Sequence, residues 1–335
     1  METPLAQRAT RIPTLDGWRA IAISSVIVHH IAAQKAIQAG KTEPLWLTHF
    51  AMGVDVFFAI SGLLITKLLI DHWKQTASLG LQGFYIRRAF RILPPALVCL
   101  ATTGVLRAFG SRLDWISCLT FWRNYLPFHL TTIYTDHFWS LSLEEQYYLV
   151  WPWMLLLMGI ARAPKGLFWT IVALNVWRMF VLLSPGPTVM LRTDVRGDGL
   201  LWGCMAAFAY EAYPRFRIPW YAFALSILAA PLLFEAYAGM SVFPIAMAAA
   251  VLATVQHPAW PVSSALEWRP LVWIGKRSYG IYLWQQLFIA YGDLRLPFLT
   301  SMAVRIVALL VVTELSYALL EKPLQNLGRR LSEGR

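Results

Sequence analysis

Apolar stretches of about 20 residues, separated by short polar segments, recur from one end of this 335-residue chain to the other, and nothing else in it restricts the fold so severely. Segments of that length suit membrane-crossing helices, which satisfy their own backbone hydrogen bonds where no water can. The pattern predicts about ten spans, near 17–37, 51–70, 92–109, 141–160, 167–184, 198–213, 219–235, 240–256, 271–291 and 298–320, in an all-α polytopic membrane protein. At 58% hydrophobic and 14% charged residues, the chain is too apolar for a soluble domain of this size. Its 16 Trp and 13 Tyr suit two interfacial belts. One domain over 1–335 is expected, with short tails at about 1–14 and 322–335. Met1 to Pro13 is polar and no small-residue cleavage site follows the first apolar helix, so that helix is expected to stay as a signal anchor. Cys99, Cys118 and Cys204 have no ligand-like spacing, and neither a disulfide framework nor a metal is expected.

A net charge of +11 would suit nucleic acid in a soluble protein, but in a membrane protein an excess of Lys and Arg marks cytoplasmic loops. No nucleic-acid partner is expected. With the N-terminus inside, 18 of the 29 basic residues fall on inner segments and 8 on outer ones, which places both termini in the cytoplasm. Arg19, Arg178 and Arg305 fall within spans, where a cation must find a partner or a cavity. Two loops are long: an inner one over about 71–91 and an outer one over about 110–140. The outer loop carries Trp115, Phe121, Trp122, Tyr125 and Phe128, so it should pack as short re-entrant or interfacial helices. Glu321-Lys322-Pro323 should discourage a long straight continuation of the last span.

Leu15-Asp16-Gly17-Trp18-Arg19 opens the first span, which carries His29 and His30 near its far end. Arg19 and His30 return to nearly one face, about 16 Å apart along the axis. An imidazole at membrane depth is a candidate proton acceptor; the bland alternative is a pair of interfacial anchors. Toward the same outer side the expected topology brings Ser61-Gly62, the run Trp139–Gln146 preceded by Asp136 and His137, and Arg192, Asp194, Arg196 and Asp198. A carboxylate, an imidazole, a Ser-Gly step and an arginine at one depth are the ingredients of a general-base site. Each has a structural alternative. Ser61-Gly62 suits a close helix contact. Ser140 or Ser142 with Glu144 or Glu145 reads equally as a helix cap with first-turn acids. Asp136, Asp194 and Lys41 read as solvated loop charges. On the inner side, Arg87, Arg88 and Arg91 precede Ile92-Leu93-Pro94-Pro95. Such a cluster suits several phosphates, or equally anionic lipid. A donor with a polyanionic head and a long thin reactive arm, such as an acyl-coenzyme A, would bridge the two clusters.

Seven short motifs in order resemble membrane acyltransferase family 3, the integral-membrane enzymes that O-acylate cell-surface and secreted glycans. They are LDGWR with His30, FFAISGLLIT at 57–66, RRAFRILPP at 87–95, FWSLSLEEQYYLVWP at 138–152, RGDGLLWG at 196–203, IGKRSYGIYLW at 274–284 and EKPL at 321–324. The resemblance implies about ten transmembrane helices, a cytoplasmic acyl-CoA donor and an acceptor across the membrane. The family's Arg and His pair falls on Arg19 and His30, its RxxR on Arg88 and Arg91, and its helix-opening Glu on Glu144. Glu145 takes a variable position. Where many members read YLWH this chain reads Tyr282-Leu283-Trp284-Gln285, so only a hydrogen-bonding role is open to Gln285.

The expected function is therefore transfer of an acyl group, acetyl above all, from cytoplasmic acyl-CoA to a sugar hydroxyl. The acceptor is a surface polysaccharide, a lipid-linked glycan or another glycosylated molecule, and the setting the inner (cytoplasmic) membrane, with glycan-assembly proteins as partners. His30 would take the hydroxyl proton or accept the acyl group itself, with Glu144 orienting the imidazole and Arg19 guiding the donor. Arg87, Arg88 and Arg91 would hold the donor phosphates. Ser61, Gln146, Arg196, Asp198 and Gln285 are the candidate substrate contacts. The rival is a flippase or transporter of lipid-linked glycans, which would share the buried charges but bind no acyl-CoA; inverted repeats would favour it, and the sequence has none.

Overall fold

The computed structural model describes residues 12–42, 49–183, 189–212, 217–235, 239–290 and 296–334. Arg8, Arg11, Arg215, Arg295 and Arg335, part of the charge asymmetry, lie outside them. Among the described residues the chain is helical with no strand. The long helices are α1 (Pro13–Gln38), α2 (Gly53–Thr76), α3 (Leu81–Val105), then, after the short α4 (Arg112–Leu119), α5 (Phe138–Met158), α6 (Ala163–Leu182) and α7 (Asp198–Ala212). They continue as α8 (Trp220–Glu235), α9 (Gly239–Gln256), the short α10 (Pro261–Leu266), α11 (Arg269–Ile289) and α12 (Phe298–Ser316), with α13 (Lys322–Ser332) last. Each expected span thus has its helix. By length and composition, Pro13–Gln38, Phe50–Thr76 and Phe298–Ser332 are each apolar enough to cross a membrane, with shorter apolar helices at Trp220–Ala229 and Val242–Gln256. The chain is an all-α membrane protein.

The expected inner loop at 71–91 is a correction. It is helical except around Ala77–Gly80, because α2 runs on to Thr76 and α3 begins at Leu81. Charged residues ended the apolar window there, but the chain buries arginine stems against neighbouring rings: the Arg88 guanidinium lies 4.6 Å from the Tyr148 ring centroid. Pro94 and Pro95 sit inside α3 without ending it. The turn that reverses the chain needs left-handed backbone at Gly80, φ 58°. At the other end of the chain, α12 passes through a π-helical turn, Tyr317–Glu321, into α13, so the helical run continues from Phe298 to Ser332 through Pro323, and the expected break there does not occur.

Glycines let two helix pairs close on each other. A Cβ on Gly62 of α2 would lie 2.0 Å from the Leu200 carbonyl oxygen of α7, and one on Gly275 of α11 1.8 Å from the Asp16 oxygen of α1. The small-residue reading of Gly62 is therefore correct, and Ser61 beside it is left to face elsewhere. Side-chain bonds fix the helix directions. Trp18 Nε1 donates to Thr254 Oγ1 at 2.8 Å, setting the start of α1 against the end of α9, and Trp151 Nε1 donates to Thr66 Oγ1 at 3.0 Å between α5 and α2. The core between them is aromatic, with Phe58, Phe138 and Trp151 almost fully enclosed.

The segment expected to pack as short helices does so, as α4 and single turns at Arg123–Tyr125, Phe128–Leu130 and Ile133–Thr135. A fully buried pair, Arg123 Nε to Asp114 Oδ1 at 2.9 Å, holds it, and Arg123 Nη2 also reaches Asp136 at 3.4 Å. The arginines within spans are accounted for as well. Arg178 Nη2 meets Asp198 Oδ1 at 2.5 Å and its Nε donates to the Val195 carbonyl at 2.7 Å. Arg305 Nη1 donates to the Ile289 carbonyl at 3.0 Å.

Candidate active site

A narrow cavity of about 80 Å³ lies between α1, α2, α3, α5 and α11, lined by Arg19, Arg88, Arg91, Ser61, Glu144, Tyr148, Ser140 and Tyr282 among others. Arg19 enters it from α1, one turn after Asp16, whose Oδ1 accepts from Arg19 Nη1 at 3.1 Å. Arg88 and Arg91 reach it from one face of α3, as their i, i+3 spacing requires. Among the described residues, three cations thus surround one cavity, with a single carboxylate, Glu144, in its wall. Glu144 Oε1 accepts from Ser61 Oγ at 2.8 Å, and Ser61 Oγ in turn accepts from Tyr148 Oη at 3.0 Å. The chain Tyr148–Ser61–Glu144 holds the carboxylate in the cavity wall. Glu145 does not line this cavity, and its Oε1 is buried with no hydrogen-bond partner. Of the two neighbours, Glu144 reaches this cavity and Glu145 does not, but His30 is not part of its lining.

Arg88 and Arg91 also line a second cavity of about 290 Å³, which adds Arg87, Asp71, His72 and Gln75 at the end of the bundle where α1 begins. Arg87 lies at its edge, and its Nη1 donates to Ser332 Oγ of α13 at 3.0 Å. At the opposite end of the first cavity the hydroxyls of Ser140 and Tyr282 stand 2.5 Å apart, and both reach the His137 carbonyl oxygen, at 3.3 and 3.1 Å. Ser140 and Ser142 do not cap α5, which begins at Phe138; Ser142 Oγ instead accepts from the Arg123 backbone N–H at 3.2 Å.

His30 lies beyond Tyr282, about one helical turn further along α11. Its Nδ1 is 3.2 Å from Gln285 Oε1 and its Nε2 is 3.2 Å from Gln286 Nε2. Glu144 accordingly does not orient the imidazole as expected: its oxygen serves Ser61, while two carboxamides hold His30. Arg19 and His30 both face the protein interior, yet Arg19 joins the α3 arginines and His30 the end of α11.

Three other candidates stand apart from the cavity. Gln146 Nε2 donates to the Phe121 carbonyl at 2.8 Å and to Asn124 Oδ1 at 3.1 Å, and Thr193 Oγ1 donates to Gln146 Oε1, so the side chain ties the segment before α5 to the turn before α7. Asp198 is closed off by Arg178. Arg196 pairs with Asp55 at 2.7 Å and lies 5.3 Å from the Trp139 ring centroid. Asp194 is not simply solvated: burial pushes its carboxyl up, but hydrogen bonds from Arg192 and Trp177 outweigh this and hold it below the ordinary aspartate value. Tyr148, Tyr282 and Gln286 were not singled out from the sequence. The adjacent glutamines in an otherwise apolar helix end were the available signal for Gln286; hydroxyl-bearing Tyr among so many interfacial aromatics gave none.

The bundle, all-helical among the described residues, thus encloses three arginines, a carboxylate and an interior histidine. The chain belongs to the acyltransferase domain family, which matches residues 12–321. It is 31% identical to the peptidoglycan O-acetyltransferase OatA of Listeria monocytogenes, over 95% of this chain and 56% of that protein. It is also 31% identical to the putative peptidoglycan O-acetyltransferase YrhL of Bacillus subtilis, over 95% and 56%, and 30% identical to a putative O-acetyltransferase of Staphylococcus aureus, over 95% and 58%. The chain spans little more than half the length of these relatives. No solved structure matches it.

Proposed function

We propose that this protein is a membrane O-acyltransferase that moves an acetyl group from acetyl-CoA to a sugar hydroxyl of a surface, lipid-linked or otherwise glycosylated acceptor. The observation that carries the reading is that Arg88 and Arg91 line two cavities at once, the larger with Arg87 and the smaller with Arg19, Ser61 and Glu144. A phosphate-rich head fits the wider, basic end, where guanidinium groups offer charge-assisted forks. A thin pantetheine arm fits the narrow cavity, directed past Ser61 and Glu144 toward Tyr282. The relatives named for O-acetyl transfer support the acetyl group and the hydroxyl acceptor.

In this reading His30 is the base. The acceptor oxygen attacks the thioester carbonyl as its proton passes to the imidazole; the new C–O bond forms, the C–S bond breaks, and the proton returns to the departing CoA thiolate. Tyr282 and Ser140, between the cavity and His30, must part to let the thioester through. The protein sits in the cytoplasmic membrane with both termini and the α3 arginines inside and the 110–137 segment outside. Removing a general base costs about 10²–10⁴-fold in rate. We therefore expect His30→Ala to abolish labelling of acceptors by radiolabelled acetyl-CoA in membranes where the variant is normally inserted. His29→Ala, about 100° away on the helix, should retain it. Near-normal labelling by His30→Ala would refute the reading.

A further inference from the structure

A base that must present one particular nitrogen needs something to fix its tautomer. His30 is gripped at both ring nitrogens by consecutive side chains of α11, 255 and 256 residues away. Gln285 is 0% exposed and Gln286 1%. The two contacts are of opposite polarity. Gln285 turns an oxygen to Nδ1 and Gln286 its NH₂ to Nε2, an arrangement that suits the tautomer with the hydrogen on Nδ1 and the lone pair on Nε2. Both contacts favour that tautomer. The rest of the Gln285 amide finds nothing: its Nε2 is buried with no hydrogen-bond partner. A buried amide left half-paired is unfavourable, so an apolar side chain would serve packing better at this position.

The geometry points to Gln285 and Gln286 as positioning residues that hold His30 in the Nδ1–H form with Nε2 as the acting nitrogen, Gln286 covering that lone pair until the acceptor hydroxyl displaces its amide. The inference rests on the reading of His30 as base, and its consequences for substitution run opposite to those of packing. Methionine matches glutamine in length without an acceptor; glutamate keeps acceptor oxygens but places a charge in a buried site. If Gln285 only fills space, Gln285→Met is harmless and Gln285→Glu harmful. If it fixes the tautomer, Gln285→Glu keeps Nδ1 protonated and active, whereas Gln285→Met frees the ring to flip its proton. A wrong tautomer in another histidine-dependent site costs about 10⁴-fold.

Nitrogen-15 NMR of histidine-labelled protein in lipid bilayers reads the tautomer directly, with the His30 signals assigned by their loss in His30→Ala. The titratable neighbours that could disturb the reading are His29, with ring centroids 5.4 Å apart, and His137 ahead of α5. The spectra are therefore recorded at a pH where the His30 signal is that of the neutral ring. The wild type and Gln285→Glu should show Nδ1–H, and Gln285→Met a substantial Nε2–H population. In cells, alkali-labile acetate on surface glycans should persist with Gln285→Glu and fall at least about tenfold with Gln285→Met. An Nε2–H wild type, a tautomer unmoved by Gln285→Met, or full acetylation by that variant would each overturn the assignment. An active His30→Ala would instead overturn the base itself and leave the NMR result standing, so the two failures are distinguishable.

Discussion

Glu144 and Glu145 are adjacent in sequence and unlike in surroundings, which makes a paired substitution to glutamine informative. Glu144→Gln keeps the shape and an oxygen for Ser61 Oγ, now 2.8 Å from a carboxylate oxygen, but removes the charge that interacts with Arg88 and Arg91. A hydrogen bond to an ionised group contributes about 1.5–3 kcal/mol against about 0.5–1.5 for a neutral one. The substitution therefore weakens this bond by about 1–1.5 kcal/mol, or roughly 5–13-fold in any step that depends on it. If the carboxylate itself accepted a proton during transfer, the loss would instead be about 10²–10⁴-fold. The structure gives it a hydroxyl to hold and cations nearby, so a fall near tenfold is expected. Glu145→Gln removes a buried carboxylate that interacts with Arg88 but whose Oε1 has no hydrogen-bond partner, and should leave turnover near wild type. Both variants are compared in native membranes by transfer from radiolabelled acetyl-CoA, alongside thermal unfolding of the solubilised proteins. Equal rates for the two, or a Glu144→Gln loss that simply tracks a lowered melting temperature, would refute the reasoning.

If Arg88 and Arg91 hold the donor phosphates, their double alanine variant should raise the apparent KM for acetyl-CoA far more than that for the acceptor, with lysine restoring part of it; an unchanged KM in a correctly inserted protein would return the pair to lipid contact. Arg87→Ala, whose side chain bonds Ser332, should have the smaller effect on that KM. Arg178→Ala leaves Asp198 buried and unpaired and should destabilise by about 3–5 kcal/mol, seen in the unfolding midpoint, with Arg178→Met in an Asp198→Leu background recovering much of it; a change below about 1 kcal/mol would contradict the buried pair. Phosphatase fusions should report a cytoplasmic side after Glu333 and the far side at His129, and the reverse pattern would invert every placement argued from charge.

The helices were legible in the sequence because hydropathy over a window of about 20 residues is a local property, and each expected span corresponds to one helix. The i, i+3 spacing placed Arg88 and Arg91 on one helix face, whereas Glu144 was singled out from Glu145 only by the resemblance to the acyltransferase family. Local pattern failed where burial depended on a distant neighbour. The start of α3 at Leu81 was hidden because arginines break an apolar window unless a ring such as Tyr148 is there to receive them. A helix face also does not name what it meets. Sequence alone grouped Glu144 with His30 and sent Asp198, Arg196 and Gln146 to the site. Packing gave Glu144 to Ser61, His30 to Gln285 and Gln286, Asp198 to Arg178, Arg196 to Asp55 and Gln146 to the segment before α5. Hydrogen bonds and ion pairs act over about 3 Å, so which of several polar residues at one depth become partners is decided by how helices far apart in the chain are brought together.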